Sequence, residues 1–288
     1  MQIAKLFNQK KTVFSLEVFP PKKTSSIDTI YTTLNELEGL KPDFISVTYG
    51  AGGNSGDTVT CEIASAIKHN YGIEPLAHLT CVNDTKEEIS RILDRLEENG
   101  IENILALRGD INPEISPKNE FHYASELVAF IKERGGFHIS GACYPEGHIA
   151  SENLVTDILN LKKKVDAGAE HLISQLFFDN SYFYSFLEKA RIAGIEVPIE
   201  AGIMPVVNKA QIERMVTLCG ASLPSKFTKM MQRFEHSPEA LREAGIAYAV
   251  DQIVDLISQG VDGIHLYTMN NSYIAKKIHD SIAEMIRL

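Results

Sequence analysis

The chain has 288 residues, 44% hydrophobic and 23% charged, with a formal net charge of −10. Those values suit a globular protein, no apolar run reaches the ~18 residues of a membrane span, and the acidic balance argues against a lysine- and arginine-rich nucleic-acid surface. The polar stretch Asn8-Gln9-Lys10-Lys11 follows too closely on Met1 for a secretion signal, and Cys61, Cys81, Cys143 and Cys219 are scattered without a CxxC pair. A soluble cytoplasmic protein with reduced thiols and no membrane or nucleic-acid partner is expected.

Short β-branched or apolar runs alternate with amphipathic segments along the whole chain, the pattern of repeated βα units around a parallel sheet. Eight strands are predicted near 13–19, 44–49, 75–80, 101–107, 138–144, 170–177, 197–203 and 263–268, with helices such as 27–38, 58–69, 86–98 and 153–167 between them. No linker interrupts the rhythm. The fold class is therefore α/β, a (β/α)8 TIM barrel in one domain over 1–288, with an inserted helix or lid near 222–235 within the irregular stretch 220–238.

The first strand, Phe14-Ser15-Leu16-Glu17-Val18-Phe19, is stopped by Pro20-Pro21 and carries one carboxylate in an apolar run. Burial among apolar side chains would keep Glu17 protonated longer than a surface glutamate, which makes it a candidate acid; a buried carboxylate with a structural partner is the alternative. Alternation assigns Val13, Ser15, Glu17 and Phe19 to the barrel interior. The same spacing pairs Ser46 with Thr48, Leu76 with His78 and Thr80, Ala142 with Tyr144, Ile173 with Gln175, and His265 with Tyr267. Polar residues thus gather late in the strands, where barrel enzymes place their chemistry.

Further along, Thr48-Tyr49-Gly50-Ala51-Gly52-Gly53-Asn54-Ser55-Gly56 could turn backbone N–H groups toward an anionic or flat ligand, or form a plain rim loop. It matches neither GxGxxG nor GxxxxGKS. His78-Leu79-Thr80-Cys81 does not assemble a three-ligand metal site, so no metal is expected. Leu107-Arg108-Gly109-Asp110 ends the fourth strand with an arginine that can grip phosphate and an aspartate that can accept from a ring N–H. Tyr144 and His148 could flank a flat heterocycle, or pack as ordinary aromatics. Asp157, Asn160 and Lys164 share one helix face, by default a solvated one.

In this order, Leu16-Glu17-Val18-Phe19-Pro20-Pro21, Ser46-Val47-Thr48-Tyr49-Gly50-Ala51, His78-Leu79-Thr80-Cys81, Leu107-Arg108-Gly109-Asp110, Tyr144-Pro145-Glu146-Gly147-His148, Lys164-Val165-Asp166-Ala167-Gly168-Ala169 and Tyr267-Thr268-Met269-Asn270 closely resemble the bacterial 5,10-methylenetetrahydrofolate reductase family. The resemblance spans nearly the whole chain. It implies an FAD-dependent barrel without a regulatory domain, often a homo-oligomer, that passes hydride from NADH or NADPH through FAD to methylenetetrahydrofolate by ping-pong turnover. By resemblance Glu17 is the proton donor and Asp110 lies near both flavin and pterin. Gln175, Gln211 and Tyr267 contact the folate. Thr48, Tyr49, Ala51, His78, Arg108, Gly109, Asp110, Tyr123, Ala124, Tyr144, His148, Asp157, Asn160, Lys163 and Lys164 match positions that line FAD. Asn271 stands where the family usually carries an arginine, and Gly52-Gly53 lengthens the second loop. A pterin-binding methyltransferase barrel without flavin and a non-catalytic subunit of a redox complex are the competing readings.

Overall fold

The computed structural model describes residues 1–21, 26–49, 56–110 and 118–287. Among them, eight parallel strands close a barrel in sequence order: β1 (Val13–Val18), β2 (Phe44–Val47), β3 (Glu74–Thr80), β4 (Asn103–Leu107), β5 (His138–Cys143), β6 (His171–Ser174), β7 (Ile199–Ile203) and β8 (Gly263–Tyr267). The expected barrel is what forms. Outside it run α1 (Asp28–Glu38), α2 (Gly56–Tyr71), α3 (Lys86–Glu98), α4 (Ala124–Arg134), α5 (Leu154–Asp166), α6 (Asn180–Ile192), α7 (Lys209–Cys219), α8 (Ser225–Phe234), α9 (Pro238–Ser258) and α10 (Ser272–Ile282). None of the described helices is long and apolar enough to cross a membrane.

Local chemistry sets several boundaries. Thr85 and Glu88 form a reciprocal capping box at the start of α3, and Gly100 (φ 70°) follows its end. Strand β7 is shorter than expected because Pro198 has no N–H to give the ladder, so pairing starts at Ile199. Strand β6 stops at Ser174, which leaves Gln175 just beyond its C-terminal end.

Strand parity divides the core as the alternation predicts. Phe14, Leu16 and Val18 join the main apolar cluster under the helices, while Val13, Phe44, Leu76, Leu105 and Ile173 pack inside the barrel. A 3-10 helix at Ile3–Asn8, which the sequence reading did not identify, plugs the N-terminal end with Ile3 and Leu6. Its signal was present as apolar residues at positions 3, 6 and 7. The backbone N–H of Ile3 donates to Oδ1 of buried Asn103 at 2.9 Å.

The irregular stretch before α9 does contain the inserted helix, α8, packed onto the rim by a second apolar cluster. Phe227 is fully buried and stacks on Phe178 with ring centroids 4.7 Å apart. Met204 of the same cluster also lines the interior cavity below.

Candidate active site

Two cavities meet at the C-terminal end of the barrel. The inner one, about 280 Å³, is lined by Glu17, Thr48, His78, Gln175 and Tyr267 together with apolar Ile173, Met204 and Met215. Each polar member comes from a different strand or strand end, the arrangement a closed parallel barrel permits. The outer cavity, about 400 Å³, lies between the ends of β4 and β5 and the face of α5, and shares Leu107, Ala142 and Tyr144 with the inner one. Both volumes lie near or within the usual range for small-molecule sites.

Glu17 is 18% exposed, and its Oε2 lies 3.6 Å from both His78 Nε2 and His265 Nε2. Its surroundings therefore differ from those inferred from the sequence. The apolar residues beside it in the chain, Leu16 and Val18, face the helices; imidazoles from β3 and β8 face its carboxyl. Burial pushes the His78 imidazole down to about 4, so it is neutral near pH 7. The neighbouring Tyr267 hydroxyl donates to the Ser174 carbonyl at 2.7 Å, and burial holds the phenol well above its ordinary value.

The outer cavity is lined by the cations Arg108, Lys163 and Lys164 and the carboxylates Glu152 and Asp157. Arg108 Nε donates to the Gly109 carbonyl at 3.3 Å and Lys164 Nζ to the Ala142 carbonyl at 2.6 Å, and among the described residues neither has a carboxylate ion pair. Burial lowers the Lys164 ammonium's pKa, so an anionic group at this wall would relieve its desolvation. The Lys164 stem passes over Gly141, where a Cβ would come within 2.7 Å of its Cδ. Tyr144 packs edge-on against His148 at 4.6 Å. Burial pushes the Tyr144 phenol up to about 12, and burial with the Arg108 charge lowers His148. Asp157 is buried and accepts from the Ser151 hydroxyl at 2.7 Å.

Most of the residues singled out in the sequence converge here. Arg108, Tyr123, Ala124, Tyr144, His148, Asp157, Asn160, Lys163 and Lys164 line the outer cavity. The face of α5 that was expected to be solvated is thus a cavity wall. Gly109, at φ 86°, takes the left-handed turn after β4, where a Cβ would meet the Thr80 Cβ at 2.9 Å. Asp110 is exposed beside it, and its charge acts on Tyr144 and His148. Tyr49 lines neither cavity and packs against the outer core. Ala51, Gly52-Gly53 and the Gln211 side chain lie outside the described residues.

Polar groups are not confined to the late strand positions. Ser15, Asn103, His138, Ser140, His171, Glu200 and His265 are all buried. The barrel interior is thus polar well below the cavities. Parity could have found Glu200, which shares a face with Gly202 along β7. His78 and Cys81 do not form a joint site, since the cysteine packs in the outer core. Among the described residues no group of three His, Cys, Asp or Glu side chains is arranged to hold a metal ion.

The family model for methylenetetrahydrofolate reductase matches residues 2–283. The chain belongs to the methylenetetrahydrofolate reductase family. It is accordingly an oxidoreductase of folate one-carbon metabolism. It is 38% identical over 264 residues to 5,10-methylenetetrahydrofolate reductase of Salmonella typhimurium, covering 92% of this chain and 88% of that protein. The Pectobacterium carotovorum enzyme of that name is 37% identical with the same coverage. Methylenetetrahydrofolate reductase (NADH) 1 of Arabidopsis thaliana is 36% identical, but the match takes up 48% of its length. A Clostridium thermocellum protein that binds two copies of 5-methyl-5,6,7,8-tetrahydrofolic acid shares the fold at TM-score 0.68 and 14% identity, over 98% of this chain and 97% of that one.

Within this methylenetetrahydrofolate reductase barrel, Asn271 has a local structural task. Its Oδ1 accepts from the Ile274 N–H at 3.2 Å and caps α10, while Asn270 clamps the backbone of Phe19 through bonds of 3.0 and 2.8 Å. Loss of an N-cap typically costs about 1 kcal/mol, so Asn271→Ala should lower the thermal midpoint by a few degrees in a melting scan.

Proposed function

We propose that the protein reduces 5,10-methylenetetrahydrofolate to 5-methyltetrahydrofolate, with FAD in the outer cavity and NADH or NADPH as hydride donor. The observation that carries this reading is the opening of a cavity lined by Arg108, Lys163 and Lys164 into a second cavity containing Glu17. Arg108 and Lys164, which have no carboxylate ion pair among the described residues, suit a pyrophosphate, and Tyr144 with His148 offers aromatic surface for a flat ring system. Thr48, Tyr49, Ala51, His78, Gly109, Tyr123, Ala124, Asp157, Asn160 and Lys163 complete the proposed cofactor set.

Bound there, FAD would supply the hydride chemistry that no protein side chain provides. The chain's own residues bind, orient and move a proton. Glu17 gives a proton to the folate nitrogen that leaves as the five-membered ring opens, which generates the iminium carbon that accepts hydride. Gln175, Gln211 and Tyr267 hold the pterin, and Asp110 at the rim tunes the local field. Donor and folate take turns in the inner cavity, which gives ping-pong kinetics. Residues 1–288 act as one catalytic unit.

Rapid mixing of FAD-loaded protein with NADH, NADPH and then methylenetetrahydrofolate tests this directly. Bleaching of the flavin by a nicotinamide and its recovery on adding the folate are expected. Protein that stays colourless after incubation with FAD would overturn the reading. Arg108→Ala and Lys164→Ala should each weaken FAD binding by about 10- to 100-fold, as expected for lost charge-assisted contacts. Fluorescence titration of apoprotein measures it.

A further inference from the structure

A further cavity, about 760 Å³, lies at the opposite end of the barrel from the candidate active site. Its walls are the turn before β1, the turn between α1 and β2, and His279 of α10 with Ile286 and Arg287 beyond that helix. Both turns precede their strands, so the cavity belongs to the N-terminal face, where barrel residues ordinarily serve stability. Its volume is nonetheless that of a small-molecule site.

Charge is spread unevenly around it. Lys10, Lys11, Lys41 and Arg287 line the wall against a single carboxylate, Asp43, in a chain whose formal net charge is −10. Asp43 is already engaged, since it pairs with Lys10 and accepts from the Phe14 N–H at 2.9 Å. Arg287 pairs with Glu284 at 2.8 Å, but both groups are largely exposed, so that bridge is weak, and Glu284 is not part of the wall. Lys11 and Lys41 have no carboxylate ion pair among the described residues. The C-terminal ends of α1 and α10 reach this face and bring about half a negative charge each. Four cations still outweigh one carboxylate and two helix ends, by roughly two charges.

Two local features are costly for a plain surface. Lys41 holds φ at 50°, left-handed backbone that costs a residue with a Cβ about 1 kcal/mol, yet the position carries a long cation that lines the cavity. His279 Nδ1 is buried without a hydrogen-bond partner, 3.8 Å from Asp280 Oδ1. Burial holds this imidazole below its ordinary value, with Asp280 acting against that and the Arg287 charge adding to it. The rest of the wall includes apolar Phe14, Leu40 and Ile286, and the Phe14 ring lies 5.7 Å from the His279 ring.

We propose that this cavity is a separate binding site for an organic phosphate, whose phosphate oxygens meet Lys11, Lys41 and Arg287 and whose apolar body covers Phe14, Leu40 and Ile286. Lysine holds phosphate as a point charge and arginine as a planar fork. A neutral ligand would leave the cations unused, and a bare inorganic anion would leave the apolar wall uncovered. The site does not depend on the reading of the other end of the barrel.

Adenosine diphosphate is the probe, with adenosine and inorganic phosphate representing its two halves. Proton NMR of the purified full chain follows the His279 imidazole, assigned by its absence from the spectrum of His279→Gln. Adenosine diphosphate should shift that resonance saturably and raise the midpoint at which His279 titrates, because a nearby anion offsets its desolvation and the Arg287 charge. Adenosine should leave the resonance in place, and phosphate should bind more weakly than the diphosphate. Lys11→Ala combined with Lys41→Gly removes two cations and suits the left-handed turn, so the fold should be kept, with a wild-type thermal midpoint. That variant should bind adenosine diphosphate at least about 10-fold more weakly by the His279 shift. An unmoved His279 resonance, an equal shift with adenosine, or wild-type affinity in the double variant overturns the site.

Discussion

Glu17→Gln is expected to abolish folate reduction while leaving flavin reduction by nicotinamide intact. The glutamine matches the shape of the side chain and its packing near His78 and His265, but it has no acidic proton to give. Protonation of a leaving nitrogen by a positioned acid is worth about 100- to 10,000-fold, so reoxidation of reduced flavin by methylenetetrahydrofolate should fall by that factor. In the proposed reaction the nicotinamide step would transfer hydride into the cofactor and need no proton from this carboxyl. Rapid mixing resolves the two halves in one instrument. A similar loss in both would refute Glu17 as the folate proton donor and point to a structural role.

The second large effect concerns stability. The Glu200 carboxyl is raised from 4.5 to about 8 by burial, so the folded chain keeps a proton that the unfolded chain releases. Below about pH 4.5 both states are protonated and the site carries no ionic penalty. Between 4.5 and 8 the unfolded state gains from ionising, so stability is lost as pH rises; above about 8 the whole cost is expressed, roughly 5 kcal/mol by linkage. Glu200→Gln removes that dependence. Its thermal midpoint should gain on the wild type as pH rises from 5 to 9, with a relative shift on the order of 10 °C. A constant difference across that range would show that Glu200 is not held protonated by the fold.

The alternation of β1 was enough to place Ser15 and Glu17 inside and Phe14, Leu16 and Val18 outside, because side chains on a strand must alternate. The strand ends were legible for the same reason. Thr48, His78, Arg108, Tyr144, Gln175 and Tyr267 are assigned to one end of one barrel by strand alternation and position alone. Resemblance added the outer cavity, whose members on α5 read alone as a solvated face. The N-terminal plug escaped notice because six residues are too few for a periodicity to stand out.

Order along the chain therefore determined the barrel, the face each strand residue occupies and the end where chemistry can gather. It did not determine which side chains meet. The neighbours of Glu17 come from β3 and β8, and the space for Glu200 comes from a missing side chain on β8, so both depend on the shear with which the barrel closes. That register, set by the packing of the whole sheet, turned an acid expected among apolar residues into one facing two imidazoles. The same register sets a second buried carboxyl, Glu200, within hydrogen-bond reach of the Ser15 hydroxyl.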